Sequence, residues 1–342
     1  MSSIRPATAA TWRAGHRAGS EAGPVAGKTI GRTRVPLINA ESRGVFVIAV
    51  TPFTETMAVD MRSVDTMVDF YFDKGADGLT ILGMMGEAPK LTQAEAVEVA
   101  RRTIARASGR PVVVGVSAPG LAAIGELTKA VMDLGAAGVM VAPPGSLKTD
   151  DQIAAYYAQV VETLGADVPV VLQDFPLVTG VTIAPSVIGR IVEACPSVVM
   201  LKHEDWPGLA KISELRAAEA KGRRRISILC GNGGLFLPEE MARGADGAMT
   251  GFGYPEMMVD VVRLAAGGDL DRAQDVFDAY LPLVRYEQQP GIGLAVRKHV
   301  LARRGAIAGD TQRRPGAKLA PRAVEEVERL IARQTRRLGE IG

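Results

Sequence analysis

From Val45 onward the chain alternates short apolar runs with longer stretches in which apolar residues recur at helical spacing. The runs are "VFVIAV" (45–50), "GLTILG" (78–83), "PVVVGVS" (111–117), "GVMVAP" (138–143), "PVVLQDF" (169–175), "VVMLKHE" (198–204), "ISILCGN" (226–232) and "GAMTGF" (247–252). Helix candidates between them include 61–74, 93–107, 121–134, 151–164 and 209–220. A short apolar run, a polar turn and a helical segment, repeated, is the signature of βα units around a parallel sheet.

Gly-Ala precedes several of the runs, as in "KGADGLT", "LGAAGVM" and "RGADGAM". Glycine just past a helix end supplies a left-handed cap, and its recurrence predicts short connections in a regular array. Eight strands with eight crossovers predict a (β/α)8 TIM barrel. An open doubly wound sheet is the alternative, but the glycine-rich turn expected after its first strand is missing, since "VTPFTET" stands there. Three helical patterns follow the eighth unit: "DRAQDVFDAYLPLVRYEQ", "GIGLAVRKHVLARRG" and "PRAVEEVERLIARQTRR". The expected organisation is an N-terminal arm over 1–40, a barrel over 41–268 and a C-terminal helical extension over 269–342. Helices added to a finished barrel commonly pack outside it or join subunits, so a homo-oligomer is expected.

Composition narrows the class. Hydrophobic residues make up 47% of the 342 and charged residues 23%, and no apolar run approaches the roughly 20 residues that cross a bilayer. No membrane span is expected. The net charge is +2, with basic residues gathered at Lys221–Arg225 and in the two tails, so nucleic acid is not an expected partner. Cys195 and Cys230 are the only cysteines, and each sits among apolar neighbours. They read as reduced thiols of a cytoplasmic protein. Three dispersed histidines argue against a histidine-rich metal site. Residues 1–40 hold one acid, Glu21, among Ala, Arg, Gly and Ser, and read as disordered. An organelle transit peptide and a basic arm of no known role share that composition.

In such a barrel the chemistry gathers where the βα loops converge, at the C-terminal ends of the strands. Polar residues there include Thr51, Glu87, Ser117, Gln173, Asp174, Lys202, His203, Glu204, Asn232 and Thr250. Lys202 closes an apolar strand. It is either half of a buried ion pair with Glu204 or Asp205, or an amine that desolvation makes nucleophilic toward a carbonyl, giving a Schiff base. Strand alternation sends only one of Gln173 and Asp174 inward, puts Glu204 on the same face as Lys202, and turns His203 the other way.

From about Gly44 to the C-terminal helices the sequence resembles the dihydrodipicolinate synthase and N-acetylneuraminate lyase superfamily of class I aldolases. The matching pieces are "TPF" after strand one, "GMMGE" after strand two, "QDFPLVTG" at 173–180, "LKHE" on strand six and "GN" after strand seven. The resemblance implies a TIM-barrel enzyme that binds a small 2-oxo acid as an imine on Lys202, without a metal or other cofactor. Two departures stand out. Met84 and Met85 replace the two threonines that hold the substrate carboxylate in the synthases, leaving the backbone N–H groups of Met85, Gly86 and Glu87 as a possible anion nest. Gln173 replaces the strand-five tyrosine that shuttles protons, and an amide cannot relay a proton by ionising.

"QDFP", "GAMTGFGYPE" and the tail "LPLVRYEQQPGIGLAVRKHVLARRGAI" are similar to the L-2-keto-3-deoxyarabonate dehydratase branch of that superfamily. This implies dehydration of a 2-keto-3-deoxy sugar acid. The expected catalytic set is Lys202, Glu204 and Gln173; the expected substrate set is Thr51, Met85, Gly86, Glu87, Thr179, Asn232 and Thr250. Aldol cleavage, or a synthase-type condensation with pyruvate, is the enzyme alternative. A non-catalytic 2-oxo acid binder is the other, and the ionisable groups Glu204 and Glu87 near the imine position speak against it.

Overall fold

The computed structural model describes residues 35–206 and 208–341. For residues 1–34, the expected disordered arm lies outside the described residues. Eight parallel strands close in chain order into a barrel: β1 (Gly44–Ile48), β2 (Gly78–Ile81), β3 (Val112–Gly115), β4 (Gly138–Val141), β5 (Val170–Asp174), β6 (Val198–His203), β7 (Ser227–Cys230) and β8 (Gly247–Ala248). Around them run α1 (Met61–Asp73), α2 (Gln93–Ala107), α3 (Leu121–Asp133), α4 (Asp150–Leu164), the single turn α5 (Pro176–Thr179), α6 (Pro185–Ala194), α7 (Leu209–Ala220), α8 (Leu237–Ala242) and α9 (Pro255–Ala266).

Local chemistry fixes where these elements begin. Asp60 caps α1, and reciprocal capping boxes, Thr92 with Glu95 and Thr149 with Gln152, open α2 and α4. Each cap satisfies N–H groups that lack a partner within the helix, worth about 1 kcal/mol apiece. The eighth strand is shorter than its apolar run. Beyond Ala248 the ladder continues only as single bonds, the Met249 N–H to the Cys230 carbonyl at 2.8 Å and the Ile48 N–H to the Thr250 carbonyl at 2.8 Å.

Alternation along each strand divides the core in two. On β1, Val45 and Val47 pack under the helices, whereas Phe46 and Ile48 fill the barrel interior with Val113, Met140, Val171 and Met200. Gln173 lies two residues beyond Val171, Lys202 two beyond Met200, and the pair face each other across the β5–β6 register. The same inward parity therefore carries a polar pair to the mouth. The floor of the barrel is closed by Ile38, which is buried and whose N–H donates to the Ala137 carbonyl at 2.9 Å. Ile38 belongs to the segment assigned to the arm by sequence, yet it packs as core.

The extension consists of α10 (Leu270–Glu287), α11 (Gly293–Arg303) and α12 (Pro321–Ile341). α10 packs against α9 and α12, as expected of an external layer. α11 does something else. Its Arg297 reaches the carbonyl of Gly251 beyond β8, and its Lys298 reaches Glu87 beyond β2, so it lies against the loops at the barrel mouth. Among the described residues no helix is long and apolar enough to cross a membrane, and no three metal-ligating side chains cluster. Both cysteines are buried and unpaired.

Candidate active site

A cavity of about 260 Å³ opens at the C-terminal ends of the strands. Lys202, Glu204 and Gln173 meet in its wall. The Lys202 ammonium lies 2.9 Å from Glu204 Oε2, and Gln173 donates Nε2–H to that same oxygen at 2.7 Å. All three are almost fully buried. Glu204 follows β6, held in line by its own N–H bonded to the Asp174 carbonyl at 2.9 Å, and its carbonyl accepts from Asn232 Nδ2 at 2.9 Å. Its side chain lies against Gly231, where an added Cβ would stand 2.1 Å from Glu204 Cγ. Any side chain at residue 231 would evict the carboxylate.

This geometry joins the two explanations offered for the lysine. A buried ion pair exists, with Glu204 rather than Asp205, and its anionic member is also the nearest proton acceptor for the amine. Transfer of one proton along the 2.9 Å contact leaves a neutral amine beside a carboxylic acid, the state from which a carbonyl is attacked.

Behind the strands the outward residues form a separate network. Asp174 is bonded to Lys211 of α7 at 2.6 Å, and Lys211 also pairs with Asp205 at 2.8 Å. Burial outweighs the ammonium and holds the Asp174 carboxyl up at about 6. His203 faces the same side, its ring packed against Gly208, and burial followed by the nearby Lys211 charge pushes its pKa down to about 4. Neither residue lines the cavity; Asp174 ties β5, which presents Gln173, to α7 through Lys211.

Met85, Asn232 and Thr250 of the expected substrate set line the cavity, with Thr250 Oγ1 accepting the Gly233 N–H at 2.8 Å. The others are placed differently. Thr51 donates to the Gly86 carbonyl at 2.6 Å, pinning the turn after β2 instead of meeting the cavity. The Gly86 and Glu87 N–H groups bond to the carbonyls of Gly83 and Met84 within that turn, so of the anticipated nest only the Met85 N–H stays out of the turn's bonds. Glu87, with left-handed backbone, turns its carboxylate away to Lys298 at 2.5 Å and Lys90 at 2.8 Å. The buried Lys298 ammonium and the half-buried Lys90 hold the carboxylate away from the cavity, so Glu87 does not act as an acid or base there. Thr179 donates back along α5 to the Phe175 carbonyl at 3.0 Å and does not line the cavity.

Sequence reasoning missed two contributors from the extension. Arg297 and Gln288 both line the cavity. Arg297 is held by Glu287, with Nε 2.6 Å from Oε1, and Glu287 in turn accepts the Gly253 N–H at 3.1 Å. The available signal was "AVRKHV", two adjacent cations inside an apolar helical stretch, which an external helix has no reason to bury.

A TIM barrel with a buried lysine and carboxylate paired at its mouth is a class of protein suited to imine chemistry on a carbonyl substrate. The comparisons with known proteins narrow this to one family. The model of the dihydrodipicolinate synthetase family matches residues 41–334, and the chain belongs to that family. It is 30% identical over 285 residues to the L-2-keto-3-deoxyarabonate dehydratase of Azospirillum brasilense, covering 82% of this chain and 90% of that protein. It is 32% identical over 298 residues to the 4-hydroxy-tetrahydrodipicolinate synthase of Thermomicrobium roseum, covering 85% and 93%. Among solved structures, the dihydrodipicolinate synthase of Rhodopseudomonas palustris superposes with a TM-score of 0.86 at 55% identity, covering 87% of this chain and 99% of that one. Enzymes of the family bind small 2-oxo acids through a lysine imine and use no added cofactor. The chain is thus an enzyme of the aldolase and lyase type.

Proposed function

We propose that the protein dehydrates a 2-keto-3-deoxy sugar acid through an imine on Lys202. The observation that carries this reading is the Gln173–Glu204–Lys202 contact. Where a tyrosine would relay protons, an amide instead orients a carboxylate whose oxygen lies 2.9 Å from the amine, so the acid–base work falls to Glu204. The neutral amine attacks C2 of the substrate, the carbinolamine loses water, and an iminium remains. Glu204 removes the C3 proton, which the iminium makes acidic, and the resulting enamine expels the C4 hydroxyl with a proton from the same acid. The conjugated iminium then loses a proton from C5 and gains one at C3, the 4,5-enol so formed tautomerises to the carbonyl, and water releases the lysine, leaving a 2,5-dioxo acid with all its carbons. Similarity to the Azospirillum brasilense dehydratase supports this choice.

A second reading, pyruvate condensation of the synthase type, is favoured by the 55% identity to the Rhodopseudomonas palustris chain, which is described as a dihydrodipicolinate synthase. The glutamine and the methionine turn speak against it. Incubation with a 2-keto-3-deoxy acid or pyruvate, borohydride reduction and peptide mass spectrometry test the imine: an unmodified Lys202 peptide sinks it. Product analysis then separates the reactions, since a dioxo acid of unchanged carbon number supports dehydration, whereas pyruvate plus an aldehyde supports aldol cleavage. The cytoplasmic location and homo-oligomeric form expected from sequence are carried forward as part of the same proposal.

A further inference from the structure

We infer that Arg297, supplied by the C-terminal extension, is the residue that receives the carboxylate of the 2-oxo acid. This rests on the reading of the cavity as a 2-oxo acid site but not on which reaction follows.

Arg297 is 2% exposed, and two of its three guanidinium nitrogens are committed: Nε to Glu287 at 2.6 Å and Nη2 to the Gly251 carbonyl at 2.5 Å. The third, Nη1, has no hydrogen-bond partner among the described residues. It lies over Gly251, where an added Cβ would be 2.3 Å from it and 2.7 Å from the Ile48 carbonyl; Gly251, Ile48 and Arg297 are all residues of the cavity lining. A side chain at Gly251 would occupy the place of this nitrogen. Leaving a buried donor unpaired costs about 1–3 kcal/mol, more for a charged group, so the vacancy is best explained by an acceptor that arrives with the ligand.

The chemistry of that acceptor follows from what else the cavity offers. An incoming 2-oxo acid is an anion and meets a resident anion, Glu204, whose partner is Lys202. When Lys202 becomes an imine, it is joined to C2 and lies next to the carboxylate carbon. The β2 turn contributes Met85 without a hydroxyl. Arg297 is the remaining cation in the wall, on the side of β1 and β8, with β2 adjacent and the Met84–Met85 turn beside it. Because Glu287 and Gly251 hold the guanidinium in place, the donor is oriented before the ligand binds. Arg297 Nη1 and the Met85 N–H together replace the donors that the methionines took away.

The test uses the full chain. Pyruvate carries a carboxylate and no distal hydroxyls; pyruvamide is its uncharged counterpart. Calorimetric titration of the wild type is expected to show pyruvate binding tighter than pyruvamide by about 10–100-fold, the ratio equivalent to a charge-assisted bond. In Arg297→Lys, which keeps a cation for Glu287 but lacks the third nitrogen, that preference is expected to fall at least about tenfold. The pyruvate concentration for half-maximal borohydride trapping is expected to rise equally while the trapping plateau stays. The double variant Arg297→Met/Glu287→Gln removes the buried pair together and should give the same loss. Equal wild-type affinity for the two ligands, or an unchanged preference in either folded variant, overturns the inference. If the wild type prefers pyruvate in solution but yields no Lys202 adduct, the imine reading fails and Arg297 stands.

Discussion

At the residue scale, the site depends on one carboxylate oxygen that serves both Lys202 and Gln173. Glu204→Gln keeps the shape but removes the proton acceptor. Turnover is expected to fall by about 10²–10⁴-fold, with borohydride trapping slowed but its site unchanged, as read by steady-state rates and peptide mapping. His203 gives a different signature. Its folded pKa is depressed to about 4, below the ordinary value of 6.5, because the neutral ring is buried beside Lys211. The unfolded chain takes up that proton first, so the stability tied to the neutral ring is complete above about pH 6.5 and is lost as pH falls toward 4. Asp174, held up at about 6, gains stability over the same window, so the His203 share is read as a difference: relative to His203→Leu, the wild-type urea midpoint should fall as pH drops from 6.5 toward 4, and identical slopes would remove the assignment.

At the scale of elements, the most exacting contact joins the turn after β2 to α11. Glu87 and Lys298 are both almost fully buried and lie 2.5 Å apart. Breaking one half of such a pair leaves the other charge uncompensated, a loss of about 3–5 kcal/mol. Glu87→Gln should therefore lower the unfolding free energy by that order in denaturant titrations. A change below about 1 kcal/mol would show that Lys90 and the Thr311 carbonyl were not contributing to a shared network. The strands, and which of their residues face inward, were legible because period-two alternation is local: it placed Gln173 and Lys202 at the mouth and turned Asp174 and His203 outward. Thr51, Glu87 and Thr179 were expected at the substrate, and their bonds elsewhere were hidden for the opposite reason. A hydroxyl or carboxylate shows in the sequence, but its nearest partner does not, and Glu87 finds its partner 211 residues away. The same distance hid Arg297 and Gln288.

At the scale of the whole molecule, the barrel divides labour between its ends. Chemistry sits at the mouth, while the floor is closed by Ile38. Ile38→Ala is expected to cost about 2–5 kcal/mol of stability, with the yield of borohydride adduct at Lys202 unchanged below the new melting transition. A loss of adduct at temperatures where the variant remains folded would show that the two ends are coupled. Repeated apolar runs and Gly-Ala punctuation made the closed barrel readable before any coordinates. What they concealed is that the last part of the chain is not merely appended.

That placement of α11 has a consequence for the order of events during synthesis. A chain emerging from the ribosome can lay down its eight strands in turn, yet Lys298 and Arg297 are still to come when β8 is finished. Until they emerge, Glu87 faces a buried position without the Lys298 cation, and the mouth lacks one wall. The nascent barrel is therefore a scaffold awaiting α11, whose wall of the mouth can be set only after all eight strands have been made.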